Sequence, residues 1–143
     1  MISNMPAGMI TIKYGLQGLS FTPVSACASS NHALICALNF IRTGQADLII
    51  AGGTEASITA SAVAGFNAMK ALSTCNNNPN IASRPYDVNR DGFVIGEGAG
   101  TLILEEYEHA IKRGAHIYAE LIGGGMSSDA YLSLIHIWRC RRS

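Results

Sequence analysis

Apolar runs alternate with glycine-rich and polar segments along the chain, and this pattern predicts a succession of strands and helices. A short β-prone run at 19–24 leads into a nearly all-apolar helical stretch at 28–42, which ends at Thr43-Gly44. A continuous apolar run follows at 47–52, as is typical of a strand buried on both faces. Strand, helix and strand predict a βαβ unit with parallel pairing, and therefore an α/β fold.

Three more helical segments and two more strands are predicted by the same criteria. The helices are expected at 9–14, in the second half of 54–69 and at 106–113, and the strands at 100–105 and 116–122. Residues 71–91 lack periodicity, and a stretch of this length without regular structure is usually either a functional surface loop or a sign that an element has been misassigned.

Composition excludes several classes of function. The chain of 143 residues is 48% hydrophobic, which is enough for one domain with a core. Three basic residues crowd the last five positions, which leaves 7 basic against 10 acidic side chains elsewhere and gives no reason to expect a nucleic-acid partner. Four cysteines without paired short spacings argue against zinc and disulfides and favour a reducing cytoplasm. No stretch approaches the ~20 apolar residues of a membrane span.

Cys27 stands where the predicted strand gives way to the predicted helix, among small residues in the segment Val24–Ser30. The first turn of a helix presents unpaired N–H groups and a partial positive charge, which favour a thiolate, the nucleophilic form of cysteine. The alternative is a buried small residue, since free cysteine is among the most buried types. Position alone leaves both interpretations open, whereas Cys36 and Cys75 are interpreted as structural or incidental.

Two further motifs resemble ligand-binding loops, but the sequence around each of them argues against that function. Asp87–Gly92 copies the first half of a calcium loop, but the nearest acid to the closing position, Glu97, comes one residue early, so a tight turn is the better interpretation and no metal is expected. The glycines of 96–100 lead into a strand and not into a helix, which argues against a nucleotide loop.

No histidine makes a convincing base for Cys27. His32 lies about 140° around a helix from it on standard geometry. His109 belongs to a charged helix face, His116 opens a predicted strand, and His136 lies near the end of the chain. Cys27 is therefore either an inert thiol or a nucleophile whose base lies in a part of the protein that is not present.

Six segments occur in the order in which they occur in one group of enzymes. They are Val24–Ser30, Ala51–Ala56, Gly65–Thr74, Ala82–Asp87, Arg90–Gly100 and Leu104–Ala110. Together they resemble the β-ketoacyl-acyl-carrier-protein synthases of fatty-acid synthesis, specifically the synthase II type, and the resemblance runs from residue 2 to residue 131. The other condensing enzymes, synthase I and the polyketide ketosynthases, are the alternative.

The resemblance implies a partial thiolase-like α/β fold, comprising the later part of the first α/β half and the start of the second. Cys27 corresponds to the nucleophile that takes an acyl group from acyl-carrier protein and then receives the carbanion of decarboxylated malonyl-carrier protein. Its backbone N–H would be one oxyanion donor. Phe66, with Ala62 nearby, matches the acyl-chain pocket, and Lys70 matches a basic residue that would meet the carrier protein or else is simply solvated. No cofactor is implied, and the family is homodimeric.

The end of the chain departs from the family. The family has a histidine at the position of Leu132, and its two catalytic histidines and a lysine lie further downstream. Residues 132–143 resemble a non-native read-through, with a basic membrane-surface or nucleic-acid tail as the alternative, so the domain is expected at 1–131. A fragment without those histidines is expected to be inactive and to self-associate. The remaining alternative is a non-catalytic interaction protein.

Overall fold

The computed structural model describes residues 2–128 of the chain. Within them lie four α-helices, two strands and two single 3₁₀ turns. The helices are α1 (Met5–Tyr14), α2 (Ser29–Arg42), α3 (Ala60–Ala68) and α4 (Tyr107–Lys112); the strands are β1 (Leu48–Glu55) and β2 (Gly98–Glu105); the 3₁₀ turns are Ala26–Ala28 and Pro79–Ile81. The segment expected to be a non-native tail, 132–143, lies outside the described residues, as does the boundary at residue 131.

Helix α2 is the central element and follows its predicted span closely. It continues directly from the 3₁₀ turn and ends where Gly44 takes a left-handed φ of 69°, with the Gln45 N–H donating to the Phe40 carbonyl at 2.9 Å. Its one buried residue is Ala37, and the helix packs mainly on β1. A small residue at that position lets a helix lie close to a strand.

The sheet departs from the prediction, because its two strands are antiparallel. Leu48 is opposite Glu105 and Glu55 is opposite Gly98, so β1 pairs with a strand that comes 43 positions after it ends and not with the segment before α2. The strands come close because glycines face each other: a Cβ on Gly52 would lie 2.1 Å from the Gly100 carbonyl oxygen. The predicted parallel βαβ unit is therefore wrong for the described residues.

Two predicted strands do not form in the described chain. Residues 19–24 and 116–122 have no ladder partner and adopt no regular structure. A β-prone sequence becomes a strand only when a neighbour satisfies its backbone N–H and C=O groups. Helices at 9–14, 60–68 and 107–112 confirm the other helix predictions. Residues 71–91 are irregular, as predicted, apart from one 3₁₀ turn and a single bridge between Leu72 and Phe93.

Burial is slight, and it corrects the expectation of strands buried on both faces. Among the described residues only four alanines are buried: Ala37, Ala51, Ala82 and Ala110. Leu102 and Ile103 of β2 remain 55% and 64% exposed. Apolar faces are thus left open over much of the described structure. No helix within residues 2–128 combines the length and the apolarity needed to cross a membrane.

Candidate functional site

Cys27 is exposed and occupies the middle of the 3₁₀ turn that leads into α2. This is the place at the start of the helix that the sequence predicted, although the segment before it is an irregular stretch and not a strand. The residue before it, Ala26, has a φ of 49°, which L-residues other than glycine and asparagine adopt at a cost. Such strain turns the chain sharply and leaves the thiol projecting from the turn.

Four residues around Cys27 form a local hydrogen-bond network. The Ser25 backbone N–H donates to Ser29 Oγ at 2.8 Å, and Ser29 Oγ donates to the Ala26 carbonyl at 2.7 Å. The Ser25 hydroxyl is hydrogen-bonded to Nδ1 of His32 at 2.6 Å. The bonds thus hold the backbone before and after the strained Ala26, and the side chains that make them from α2, Ser29 and His32, belong to its first two turns.

The histidines of the described part of the chain all have partners other than Cys27. His32 is bonded to Ser25, the His109 ring to the Glu105 carboxylate, and the His116 ring packs edge-on against Tyr118. No hydrogen bond joins Cys27 to any of them. The geometry therefore offers a thiol with helix-terminal N–H groups beside it but no proton acceptor for it within residues 2–128.

Phe66 and Ala62, expected to line an acyl-chain pocket, lie one turn apart on the same face of α3 and are both partly buried. The Phe66 ring packs edge-on against Phe93, with centroids 5.1 Å apart and an interplanar angle of 81°. Sequence reasoning did not select Phe93. The apolar run that follows Gly92 was the available signal, but nothing in the sequence showed that it would meet α3.

A cavity of about 270 Å³ opens beside this aromatic pair. Its walls include Val63 of α3, Leu72, Cys75 and Phe93. Neither Cys27 nor Phe66 lines it, and no hydrogen bond or ring contact links Cys27 with Phe66, Ala62 or Lys70 in the described part of the chain. The structure thus places the two predicted pocket residues together on one helix, and the cavity beside that helix is lined by neither Cys27 nor Phe66.

Lys70 follows α3 and is exposed, with a left-handed φ of 54° that turns the chain away from the helix. It forms no ion pair with residues 2–128. The side chain is therefore available to an external partner, and it is equally consistent with a solvated lysine.

Asp91, from the motif that resembled half a calcium loop, instead receives four hydrogen bonds from protein groups. The Ser73 hydroxyl donates at 2.7 Å, the Thr74 N–H at 2.8 Å, the Thr74 hydroxyl at 3.2 Å, and Arg84 at 3.1 Å. These hydrogen bonds hold the pKa of the Asp91 carboxyl below its ordinary value, and the bond from Ser73 has the largest effect. Asp87 accepts from the Asn89 N–H at 2.7 Å, which is the tight turn that the sequence favoured. Residues 2–128 contain no cluster of three potential metal ligands among His, Cys, Asp and Glu.

Comparison with known proteins identifies what the chain is similar to. The family profile described as "Beta-ketoacyl synthase, N-terminal domain" matches residues 1–110. The chain is 56% identical over 129 residues to the mitochondrial 3-oxoacyl-[acyl-carrier-protein] synthase of Arabidopsis thaliana, covering 90% of this chain and 28% of that protein. It is 54% identical over 129 residues to 3-oxoacyl-[acyl-carrier-protein] synthase 2 of Rhizobium meliloti, covering 90% and 31%.

Solved structures give the same result. A type II polyketide ketosynthase, described in complex with its acyl-carrier protein, matches with a TM-score of 0.84 and 44% identity over 87% of this chain and 31% of that one. A β-ketoacyl synthase from Burkholderia phymatum matches with a TM-score of 0.76 and 43% identity, over 81% and 28%. The chain thus spans about 30% of the length of the relatives it matches.

Proposed function

Because the chain belongs to the β-ketoacyl synthase family, we propose that it is the nucleophile-bearing part of an acyltransferase that extends acyl chains by decarboxylative Claisen condensation. The described residues are a partial α/β thiolase-like fold, as in the ketosynthases that they match. The observation that carries the proposal is the position of Cys27, exposed on a strained turn at the start of α2.

In this proposal Cys27 attacks the carbonyl carbon of an acyl thioester on a carrier protein. A bond forms between Sγ and the acyl carbon, the bond to the carrier sulfur breaks, and the carrier thiolate takes up a proton. The Cys27 N–H, at the first turn where backbone donors lack helical partners, would stabilise the developing oxyanion. Malonyl-carrier protein then loses carbon dioxide, and its carbanion attacks the acyl carbon and releases the Cys27 thiolate.

The other predicted residues take supporting places. Phe66 and Ala62, together on one face of α3, would contact the acyl chain, and the exposed Lys70 would meet an acidic carrier protein. Acyl-carrier protein as the partner is supported by the matched ketosynthase, which is described in complex with its own carrier. A homodimer is proposed from the family resemblance, and the open apolar faces of the described structure are consistent with it.

The expected compartment is the cytoplasm, on the basis of the cysteine usage and of bacterial relatives such as that of Rhizobium meliloti. Relatives named as mitochondrial and chloroplastic are similarly close in sequence, so an organelle is the alternative. Residues 1–131 are proposed as the part that carries the synthase domain.

A polyketide ketosynthase is the second candidate, and the match to a type II polyketide ketosynthase at 44% identity favours it specifically. Both candidates use the same cysteine, and they differ in the acyl substrate. Donors that carry a saturated acyl chain and a β-ketoacyl chain would separate them by their relative rates of transfer to Cys27.

The test is site-resolved acyl transfer to this chain, because that half-reaction uses Cys27 and its oxyanion donor, whereas the condensation step is the one expected to be lost without the downstream histidines. Incubation with an octanoyl thioester of N-acetylcysteamine, followed by peptide mass spectrometry, should place the acyl group on Cys27 well before Cys36 or Cys75. Cys27→Ser should abolish labelling, and the matched variant Cys36→Ser should leave it intact. Equal labelling of Cys27, Cys36 and Cys75 would reject the enzyme proposal and favour a non-catalytic interaction protein.

A further inference from the structure

The strained turn before Cys27 needs something to hold it. A positive φ is unfavourable for an alanine, and such conformations persist only when the surroundings over-determine them. Glycine would adopt this conformation freely, but residue 26 is an alanine. The groups bonded on either side of Ala26 must therefore offset its cost.

Two side chains of α2 are placed to do so. Ser29 bonds the Ser25 N–H and the Ala26 carbonyl at once, which closes the turn locally. His32 reaches back from the second turn of the helix and holds the Ser25 hydroxyl at 2.6 Å. The Ala28 N–H adds a bond to the Ser25 carbonyl at 3.1 Å. Ser25 is thus fixed through its N–H, its carbonyl and its side chain. Of these three bonds, only that of the side chain reaches beyond the first turn of α2, to His32.

We propose that His32 is a positioning residue, which acts through its hydrogen bond to Ser25 to hold Ala26 at positive φ and so aims the thiol and backbone N–H of Cys27. His32 and Ser25 are both partly buried, and their bond ties the turn to the rigid part of α2. The sequence excluded His32 as the base for Cys27, and the structure gives it this different task. The inference rests on the proposed function, since the aimed group is the acyl acceptor.

Positioning predicts a specific split between two reagents. Acyl transfer needs the thiol and the oxyanion donor in register, whereas alkylation by iodoacetamide needs only an accessible thiol. Ser25→Ala and His32→Leu should each slow acyl transfer to Cys27 about tenfold, as expected for a misplaced reacting group. Their effect on iodoacetamide labelling should remain within about twofold, because no oxyanion forms in that reaction.

Conservative variants and a matched control separate this role from general destabilisation. Ser25→Thr keeps the hydroxyl and His32→Asn keeps a polar atom at the position of Nδ1, so both should restore most of the acyl-transfer rate. Thr43→Val, which removes a hydroxyl that bonds the Asn39 carbonyl at the other end of α2, should leave it unchanged. Equal slowing of both reagents, or the same loss in Thr43→Val, would overturn the proposal.

A stability measurement decides the point even if Cys27 accepts no acyl group. His32→Leu removes the hydrogen bond to Ser25, and Ala26 can then relax from its positive φ, which offsets part of the lost stability. In an Ala26→Gly background residue 26 is not strained, so no such offset occurs. In urea unfolding followed by circular dichroism, His32→Leu should therefore cost more stability in the Ala26→Gly background. Additive effects would overturn the positioning role. Failure of wild-type Cys27 to be labelled selectively would instead reject the proposed function.

Discussion

Glu105 and Arg113 form a two-point ion pair that ties the end of β2 to the turn after α4. The Arg113 guanidinium donates to the two carboxylate oxygens of Glu105 through Nε at 2.7 Å and Nη2 at 2.6 Å. The Glu105 side chain is only 8% exposed, and the His109 ring of α4 contacts the same carboxylate. A paired geometry of this kind is stronger than an ordinary surface ion pair, so Glu105 helps to anchor α4 to the sheet.

This pair predicts a loss of stability in acid. The hydrogen bonds from Arg113, followed by that from His109, lower the pKa of the Glu105 carboxyl from 4.5 to about 2. A carboxyl with a depressed folded-state pKa stabilises the fold above its unfolded value and loses that contribution as the pH falls through the folded value. Urea midpoints should therefore fall between about pH 4.5 and pH 2.

The matched variants for this prediction are Glu105→Gln and Glu108→Gln. Glu105→Gln should be less stable than wild type at pH 7 and should show a flatter decline below pH 4.5. Glu108, three positions later on α4, forms no ion pair within the described residues, so its neutralisation should change the stability little. An unchanged acid slope in Glu105→Gln would contradict the role of the pair.

The edge-on contact between Phe66 and Phe93 predicts an energetic coupling between α3 and the segment after Gly92. Phe66→Ala should destabilise the chain by about 1–3 kcal/mol, which is less than the ~3–5 kcal/mol typical of core phenylalanines because the ring is only partly buried. Phe66→Leu should cost less. A double-mutant cycle with Phe93→Leu should show a coupling of about 0.5–1.5 kcal/mol, as is typical of edge-on pairs. Additivity in urea unfolding would mean that the two rings act independently.

Gly92 should not tolerate a side chain. Its φ is 150°, and a Cβ would lie 2.3 Å from the Leu72 carbonyl carbon and 2.4 Å from the Ser73 N. Gly92→Ala should therefore separate 71–73 from 91–93 and cost about 1–3 kcal/mol. The control is Gly96→Ala, since nothing lies within 4 Å of a Cβ at that position. A similar thermal midpoint for the two variants would contradict this account.

The exposed apolar side chains predict self-association. Val24, Leu102 and Ile103 are 74%, 55% and 64% exposed, on parts of the chain with little cover in the described structure. Exposed apolar surface of this extent is typical of interaction sites or of aggregation. Sedimentation velocity should show a concentration-dependent oligomer or aggregate. Leu102→Lys together with Ile103→Lys should shift the distribution towards monomer, and a monodisperse wild-type monomer that melts cooperatively would reject the prediction.

The helices and the place of Cys27 could be predicted because they depend on neighbours in sequence. The span of α2 follows from its apolar residues and from its ending at Thr43-Gly44, and the tight turn at Asp87 follows from a side chain that bonds its own backbone. The resemblance of six ordered segments also sufficed to identify the family, which the match over residues 1–110 confirms.

What the sequence by itself determined was therefore local: helix spans, the turn that carries Cys27, and the family. Tertiary structure decided the partner of β1, the edge-on contact between Phe66 and Phe93, and the hydrogen bond between His32 and Ser25. A strand has the same hydrogen-bonding edge for any partner, so its pairing depends on which segment the rest of the chain brings near. The bond to Ser25 likewise required the backbone reversal at Ala26, which brings a serine seven positions earlier back to the helix.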